Sequence, residues 1–308
     1  MPGGKFSAAG IIIAVTAAIT GITTPFAPAS ASTTVTAPFT WEGASWCPNY
    51  YASNDGGTCD ATEQSGTGSS AEFNPSQVVY SGSSSPIYLE MNRGATETGA
   101  FNTQTQETWS APATLSEQID LPCTRSGEVE NWPAFWLVTT GSWPAGGEID
   151  VMEGLNGTVQ WHYHYLSASN VSSSVGGGES GFTGCGTHTY AVDWTTSEIT
   201  IYYDGTAVGT VTPAEIGVPI ASGPMFVVND YATSSTYGGP TVGNVKMEIL
   251  QFSGSSLSAG PDQSASGQSG SSQSGSSQSG SSQSGSSQSG SSSPSWEGAA
   301  GFGPAFWQ

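Results

Sequence analysis

The chain has 308 residues, of which only 9% are charged, and its formal net charge is −20. Such an acidic surface repels nucleic acid and anionic membranes, and it disfavours sulfated or uronic polymers, whose binding usually needs arginine and lysine contacts. The composition therefore indicates a neutral ligand, although acidity also keeps an exported protein in solution.

The amino terminus has the pattern of an export signal. Lys5 gives a short positive start, Ala8–Ile22 is an apolar run without a charge, and Ala29-Ser-Ala has the small-x-small form of a cleavage site. We expect cleavage after Ala31, which makes residues 1–31 a signal peptide and the protein secreted and extracellular. A membrane anchor is the alternative, but the apolar run is short and two prolines follow it closely.

Residues 32–253 are predicted to form one all-β domain, because short runs of valine, isoleucine, threonine and aromatic residues alternate with glycine, proline, serine and asparagine. The predicted strands are Ser76–Tyr80, Ile87–Met91, Ala134–Val138, Ile149–Met152, Thr158–Leu166, Tyr190–Trp194, Ile199–Tyr203, Thr206–Val211, Met225–Val228 and Lys246–Phe252. Asp204-Gly205 is a strong hairpin signal, and Pro213–Gly217 is predicted to form one helical turn. Many short strands without interleaved helices indicate a sandwich or a barrel.

The four cysteines lie within this predicted domain. In an oxidising compartment we expect two disulfide bonds, for which three pairings exist. We favour Cys47 with Cys59 and Cys123 with Cys185, because this pairing closes one short and one long loop. The cysteine spacing does not resemble that of a zinc site.

The composition changes sharply at the end of the predicted domain. Residues 254–293 are rich in serine, glycine and glutamine and contain a five-residue repeat, which predicts a flexible linker with a mean reach of roughly 35 Å. Residues 294–308 are rich in aromatic side chains but too few for a core of their own. This short aromatic tail could be a sticky tail, a docking peptide or the remnant of a lost module. We expect a monomer, which the tail could tether to a cell wall or to the substrate.

The most informative stretch is residues 143–153, which read Trp-Pro-Ala-Gly-Gly-Glu-Ile-Asp-Val-Met-Glu. Glu148 and Asp150 are two positions apart, so a strand places them on one face, whereas Glu153 has the opposite parity. A β-bulge near Val151-Met152 would return Glu153 to that face. The two glutamates could then lie about 5–5.5 Å apart, as in retaining glycosidases, with Asp150 holding one of them by a hydrogen bond.

A solvated acidic strand face and a calcium site are the alternative interpretations of the acidic run. Four tryptophans within 18 positions of Glu148 favour a sugar-binding groove, because aromatic faces stack on sugar rings: Trp132, Trp136, Trp143 and Trp161. Each of them could instead belong to the core, and we expect this of Trp136, which lies inside an apolar run.

These motifs resemble family 16 of the glycoside hydrolases, the laminarinase-like β-glucanases. The resemblance rests on Trp-Pro-Ala-Phe-Trp-Leu at 132–137, on Glu-x-Asp-x-x-Glu at 148–153, and more loosely on the strands that begin at Thr189, Ile199 and Lys246. It implies a jelly-roll sandwich of two curved antiparallel sheets with a concave substrate cleft. Two regions depart from the family pattern: residues 113–120 lack its arginine, and Asn-Asp-Tyr-Ala at 229–232 replaces Asn-x-Ala-x-Gly-Gly.

The resemblance also implies roles for single residues. Glu148 takes the position of the nucleophile, Asp150 that of the assisting acid, and Glu153 that of the general acid/base. The implied substrate-binding residues are Trp132, Trp143, His164 and Trp194. His164 would stand beside the acid/base, although a surface position on its strand is the alternative. Trp194 would line the cleft, with burial in the core as its alternative.

These observations predict a retaining endo-β-glucan hydrolase, with laminarin-type β-1,3-glucan as the first substrate to test. The chemistry needs no organic cofactor and no catalytic metal, and a structural calcium ion on the convex side could be present. The alternatives are a non-catalytic carbohydrate-binding sandwich, a transglycosylase, and a mixed-linkage β-1,3-1,4-glucanase on the same site.

Overall fold

The computed structural model describes residues 33–34, 38–50, 59, 64–65, 68–83, 85–104 and 107–256. The predicted signal peptide, the predicted linker beyond residue 256 and the aromatic tail lie outside these residues. Within the described ranges, no helix is both long and apolar enough to cross a membrane.

The described part of the chain consists mainly of strands. They are β1 Thr33–Thr34, β2 Phe39–Trp41, β3 Ala44–Trp46, β4 Gln64–Ser65, β5 Glu72–Phe73, β6 Val78–Tyr80, β7 Ile87–Met91, β8 Glu97–Thr98, β9 Ala100–Asn102, β10 Ala113–Leu121, β11 Trp132–Thr139, β12 Glu148–Leu155, β13 Thr158–Leu166, β14 Ser172–Gly177, β15 Gly186–Trp194, β16 Ile199–Tyr203, β17 Thr206–Val211, β18 Met225–Ala232 and β19 Val245–Ser256. A 3-10 turn at Pro75–Gln77 and helix α1 at Pro213–Ile216 are short additions to them.

Two sheets form the body of the domain. The larger sheet has the order β17-β16-β15-β10-β19-β7-β8-β5-β4, with β6 pairing to β7 and β1, and the smaller has the order β14-β13-β12-β11-β18-β9. Strands β2 and β3 form a separate hairpin. Almost all neighbouring strands are antiparallel, and the predicted jelly-roll β-sandwich is confirmed.

Alternation along the strands separates a main core from a second face. Phe135 and Leu137 of β11 point into the main core, where they join buried residues of the larger sheet such as Leu115. Ala134 and Trp136 point the other way and pack in a smaller cluster on the opposite side of the sheet. We call this side of the smaller sheet, which faces away from the main core, the groove face.

Strand and helix bounds were predicted accurately next to residues with a strong turn or capping preference. Strands β13, β16 and β17 have the predicted bounds. Asp204 and Gly205 have φ values of 49° and 76°, as a tight hairpin with two left-handed residues requires. Helix α1 begins after Thr212, whose side chain accepts from the Glu215 amide, and it ends at Gly217 in the left-handed conformation.

Three examples show where the structure differs from the prediction. Ser76 and its neighbours form a 3-10 turn rather than the start of a strand, because Asn74 caps it and Pro75 begins it. Strand β10 has no counterpart among the predicted strands, although its residues alternate regularly between buried and partly exposed. The last strand continues to Ser256, because backbone pairing with β10, such as Leu115 with Gly254, needs no apolar side chains.

The predicted disulfide pairing is confirmed. Cys47 is bonded to Cys59, and Cys123 is bonded to Cys185. The second bond joins the end of β10 to the start of β15, two strands that pair along their length. It therefore joins the two ends of the chain segment that contains β11 to β14.

Candidate active site

A β-bulge in β12 builds the acidic face. On β11, Trp136 pairs with Asp150 and Phe135 pairs with Met152, so Val151 is the extra residue. Val151 and Met152 are both fully buried in the main core. The next residue, Glu153, consequently returns to the groove face, where Glu148 and Asp150 lie. The predicted bulge is confirmed in position and effect.

His164 lies at the Glu148 end of the site. Strand β13 places it directly opposite Glu148. Its Nε2 atom is 3.1 Å from Asp150 Oδ2 and 3.8 Å from Glu148 Oε1. Trp143 forms a side-chain hydrogen bond with Glu148 and is 38% exposed. The ring therefore stands at the surface beside the carboxyl, as a residue that stacks on a sugar would.

Glu153 is held from two sides. Trp132 Nε1 donates to Glu153 Oε1 at 2.9 Å, and His162 Nδ1 lies 3.2 Å from Glu153 Oε2. The histidine beside the predicted acid/base is thus His162, and the expectation that His164 occupies that place is wrong. The strand register explains the difference, because the bulge draws Glu153 towards His162 while His164 remains opposite Glu148.

The crowding of the three carboxyls opposes their full ionisation. Burial raises the pKa of Glu148 to about 8, and the charges of Asp150 and Glu153 add to this rise, while His164 and the Trp143 hydrogen bond lower it. Burial and the charge of Glu153 raise the pKa of Asp150 well above its usual value. The pair Glu148 and Asp150 therefore holds at least one shared proton at neutral pH.

Asp230 is a fourth carboxyl on the groove face, which the sequence analysis missed. It lies in β18 and is 6% exposed. Its Oδ1 atom accepts a 2.8 Å hydrogen bond from Trp136 Nε1. Its position could have been inferred from strand alternation. Asp230 is two and four positions from Val228 and Phe226, so it points to the same face as these residues, which pack against Trp136 in the groove-face cluster.

The structure tests the expected positions of two tryptophans. The expectation that Trp136 is buried is confirmed: it is 7% exposed and packs in the hydrophobic cluster of the groove face. Trp194 was expected to line the cleft and is instead fully buried in the main core, where its Nε1 atom donates to Ala221 O. Its strand, β15, belongs to the larger sheet. Trp194 is an even number of positions from Tyr190 and Val192, so all three side chains point into the main core.

Two sets of three side chains have ligand atoms within 4.8 Å of one another: Glu148, Asp150 and His164, and Asp150, Glu153 and His162. The imidazoles already lie at hydrogen-bond distance from Asp150 and Glu153. A catalytic centre without a metal and a structural calcium ion on the convex side both stay predictions.

Comparison with solved structures shows the same fold. A glycoside hydrolase family 16 endo-glucanase from Bacteroides ovatus matches with a TM-score of 0.51 and 20% identity, covering 70% of this chain and 96% of that chain. An endo-β-1,3-glucanase from Pyrococcus furiosus matches with a TM-score of 0.50 and 19% identity, covering 73% of this chain and all of that chain (100%).

Comparison with curated proteins gives a shorter match. An endo-1,3-1,4-β-glycanase of Rhizobium meliloti (strain 1021) is 29% identical over 133 residues, which is 42% of this chain. The aligned segment spans only 28% of the length of that relative. The family model described as glycosyl hydrolases family 16 matches residues 66–241, more than half of the chain. This chain therefore belongs to glycoside hydrolase family 16.

Proposed function

We propose that the protein is a secreted, retaining endo-β-glucan hydrolase whose first substrate is β-1,3-glucan. One observation carries the proposal: the bulge at Val151 places Glu148 and Glu153 on one face although their sequence parity is opposite. A sheet that served only as a scaffold would gain nothing from gathering carboxyls that repel one another. A double displacement at a sugar needs two of them.

The geometry supports the following division of roles. Glu148 attacks the anomeric carbon, and Glu153 donates its proton to the departing glycosidic oxygen. Water then enters with Glu153 as the base, and the bond between Glu148 and the sugar breaks. Trp132 and His162 orient the Glu153 carboxyl through their ring nitrogens. Asp150 takes up the proton that it shares with Glu148.

The groove face suits a neutral polymer. Its strands β9, β11 to β14 and β18 contain no lysine or arginine, so no cation in them would pair with a sulfate or a uronate. Trp143 offers an exposed ring beside the nucleophile. The similarity to a Rhizobium endo-1,3-1,4-β-glycanase favours mixed-linkage glucan as the second substrate. Two disulfide bonds fit the oxidising compartment of an exported enzyme.

Replacing the nucleophile tests the proposal. We expect the wild-type protein to release reducing ends from laminarin and to yield the β-anomer first, as ¹H NMR of the fresh product would show. Glu148→Gln should abolish this release and unfold at or above the wild-type temperature, because the change removes a crowded, buried carboxyl and no packing. Glu179→Gln, on an exposed loop, is the matched control and should keep wild-type turnover.

The possible outcomes separate the alternatives. Binding of laminarin and lichenan without reducing ends from either would identify a binding sandwich. Lengthened chains in the presence of oligosaccharide acceptors would identify a transglycosylase. Turnover of laminarin by Glu148→Gln at the wild-type rate would refute the assigned nucleophile.

A further inference from the structure

Asp230 stands in one row with the proposed acid/base. Across the smaller sheet, Asp230 pairs with Ala134, and Ala134 pairs with Glu153. All three are on the groove face, and the side chain between the two carboxyls is a single methyl group. The indoles of Trp136 and Trp132 border this row, because they donate to Asp230 and Glu153 respectively.

Trp136 connects Asp230 with the other catalytic acid. Its backbone lies directly opposite Asp150 on the neighbouring strand, while its indole Nε1 donates to Asp230 Oδ1. The Ala232 backbone amide supplies a second hydrogen bond to the Asp230 carboxyl. No ion pair with Asp230 occurs among the described residues. Asp230 is thus a buried carboxyl that two donors hold in place and no cation neutralises.

The charge of Asp230 acts unequally on the two acids that share a proton. It raises the pKa of Asp150, together with burial and the charge of Glu153. Burial and the charges of Asp150 and Glu153 raise the pKa of Glu148, and His164 and the Trp143 hydrogen bond oppose this rise, but Asp230 is not among the groups that shift it. Burial raises the pKa of Asp230 itself to about 7, against the opposing effect of the Trp136 hydrogen bond. The Asp230 charge is therefore present over much of the neutral range.

We propose that Asp230 is a positioning residue of the catalytic centre, which with Trp136 directs the shared proton to Asp150 and leaves Glu148 ionised for attack. The inference rests on the proposed function of Glu148. Strands β9 and β11 present no titratable side chain to the groove face. The titratable groups of the groove face on the other strands are Glu148, Asp150, Glu153, His162 and His164. Of the loop residues, Tyr50 lies beside Trp136 and Tyr237 beside Trp132.

The pH profile of Asp230→Asn tests the role in catalysis. The asparagine oxygen still accepts the Trp136 hydrogen bond, but the negative charge is gone. Asp150 then loses its proton at lower pH, so the basic limb of kcat/KM should move down by roughly 0.5 to 1.5 pH units. The plateau of kcat should fall as well, because more of the shared proton rests on Glu148. Asp120→Asn, in β10 of the larger sheet, makes the same change of charge and should move neither quantity.

Trp136→Phe is the second variant, because it removes the indole donor and keeps an aromatic ring. Without that donor the pKa of Asp230 rises further, and less of its charge is present at neutral pH. The basic limb should therefore move in the same direction as in Asp230→Asn. A rise in KM with unmoved limbs in both variants would show that the two side chains only contact substrate, and it would overturn the proposal.

A direct titration separates this inference from the proposed function. In protein labelled with ¹³C at the aspartate carboxyls, the Asp150 signal is the one lost in Asp150→Asn. Its titration should move to lower pH in Asp230→Asn and should not move in Asp120→Asn. An unmoved Asp150 titration overturns the inference whether or not the protein cleaves glucan. A moved titration in a protein without glucanase activity would refute the proposed function and keep the electrostatic coupling.

Discussion

Glu117 places a carboxyl inside the main core, where an ionised group is costly. It is 1% exposed, in β10, and its Oε1 atom accepts a 2.9 Å hydrogen bond from Asn229 Nδ2 across the two sheets. Glu117 Oε2 and Asn229 Oδ1 have no hydrogen-bond partner among the described residues. Burial raises the pKa of Glu117 to about 8, although the Asn229 bond lowers it.

This single residue predicts a loss of stability with rising pH. The native protein keeps the Glu117 proton up to about pH 8, whereas the unfolded chain releases it near its ordinary pKa of 4.5. The Glu117 contribution to the free energy of unfolding should therefore fall by about 5 kcal/mol between these two pH values and stay constant above pH 8. Glu117→Gln should remove this contribution and be more stable than the wild type at pH 8, while Glu148, Asp150 and Asp230, whose pKa values are also raised, keep theirs.

Urea unfolding at pH 5 and pH 8 measures the effect. The matched control is Glu90→Gln in β7, which changes an acid that is only partly buried and should preserve the wild-type slope. An equal dependence of unfolding on pH in the wild type and in Glu117→Gln would contradict the role assigned to Glu117.

At the scale of one element, β12 shows how one strand can place both proposed catalytic glutamates on the same face. A regular strand alternates faces, so residues five positions apart point in opposite directions. The extra residue Val151 absorbs this mismatch with both Val151 and Met152 in the core. The bulge interrupts the backbone hydrogen bonds of β12 locally. Pairing of β12 with both β11 and β13 compensates for this loss.

Deleting Val151 should leave a regular strand with the same two faces. In the remaining run Glu148-Ile-Asp-Met-Glu the acids are at even spacing, so Glu153 keeps its place opposite Ala134 and beside Trp132 and His162. We expect the folded deletion variant to release reducing ends from laminarin, whereas Glu153→Gln should lose about 10²- to 10⁴-fold in kcat. The deletion should also lower the unfolding temperature, because it removes the buried Val151 side chain. A loss of turnover in the folded deletion variant as large as that in Glu153→Gln would show that strand alternation alone does not position Glu153.

For the whole molecule, the disulfide bonds differ in what they enclose. Cys123–Cys185 spans a sequence separation of 62 and surrounds strands β11 to β14, whereas Cys47–Cys59 spans 12. Closing the longer loop removes more entropy from the unfolded chain. The strand ladders of the smaller sheet, and not the disulfide, hold the catalytic side chains in the native state.

Removing each bond should separate stability from activity. The Cys123→Ala/Cys185→Ala double variant should lose about 2–4 kcal/mol of unfolding free energy, roughly 1 kcal/mol more than Cys47→Ala/Cys59→Ala. Both should keep wild-type kcat at 25 °C, where the native state still predominates. Equal losses in the two variants, seen by denaturant unfolding under oxidising conditions, would contradict the loop-entropy argument.

Features that depend on near neighbours in the chain could be predicted from the sequence. The turn and capping preferences of single residues predicted the hairpin at Asp204-Gly205 and the end of α1 at Gly217. The spacing of the acids in β12 required a bulge if they were to act together. Strand β10 was missed for a related reason: Glu117 interrupts its apolar alternation, and the compensating hydrogen bond comes from Asn229, 112 residues away in sequence.

The sequence by itself determined the strand character of the domain, the acidic centre in β12 and the family resemblance, because these follow from local spacing and residue type. Only the tertiary structure decided which tryptophans face the groove, which histidine lies beside Glu153, and that Asp230 lies on the same face as the acids of β12. Alternation along a strand defines two faces, but the order of strands in the sheets decides which face meets the core. That order rests on contacts between residues far apart in the chain.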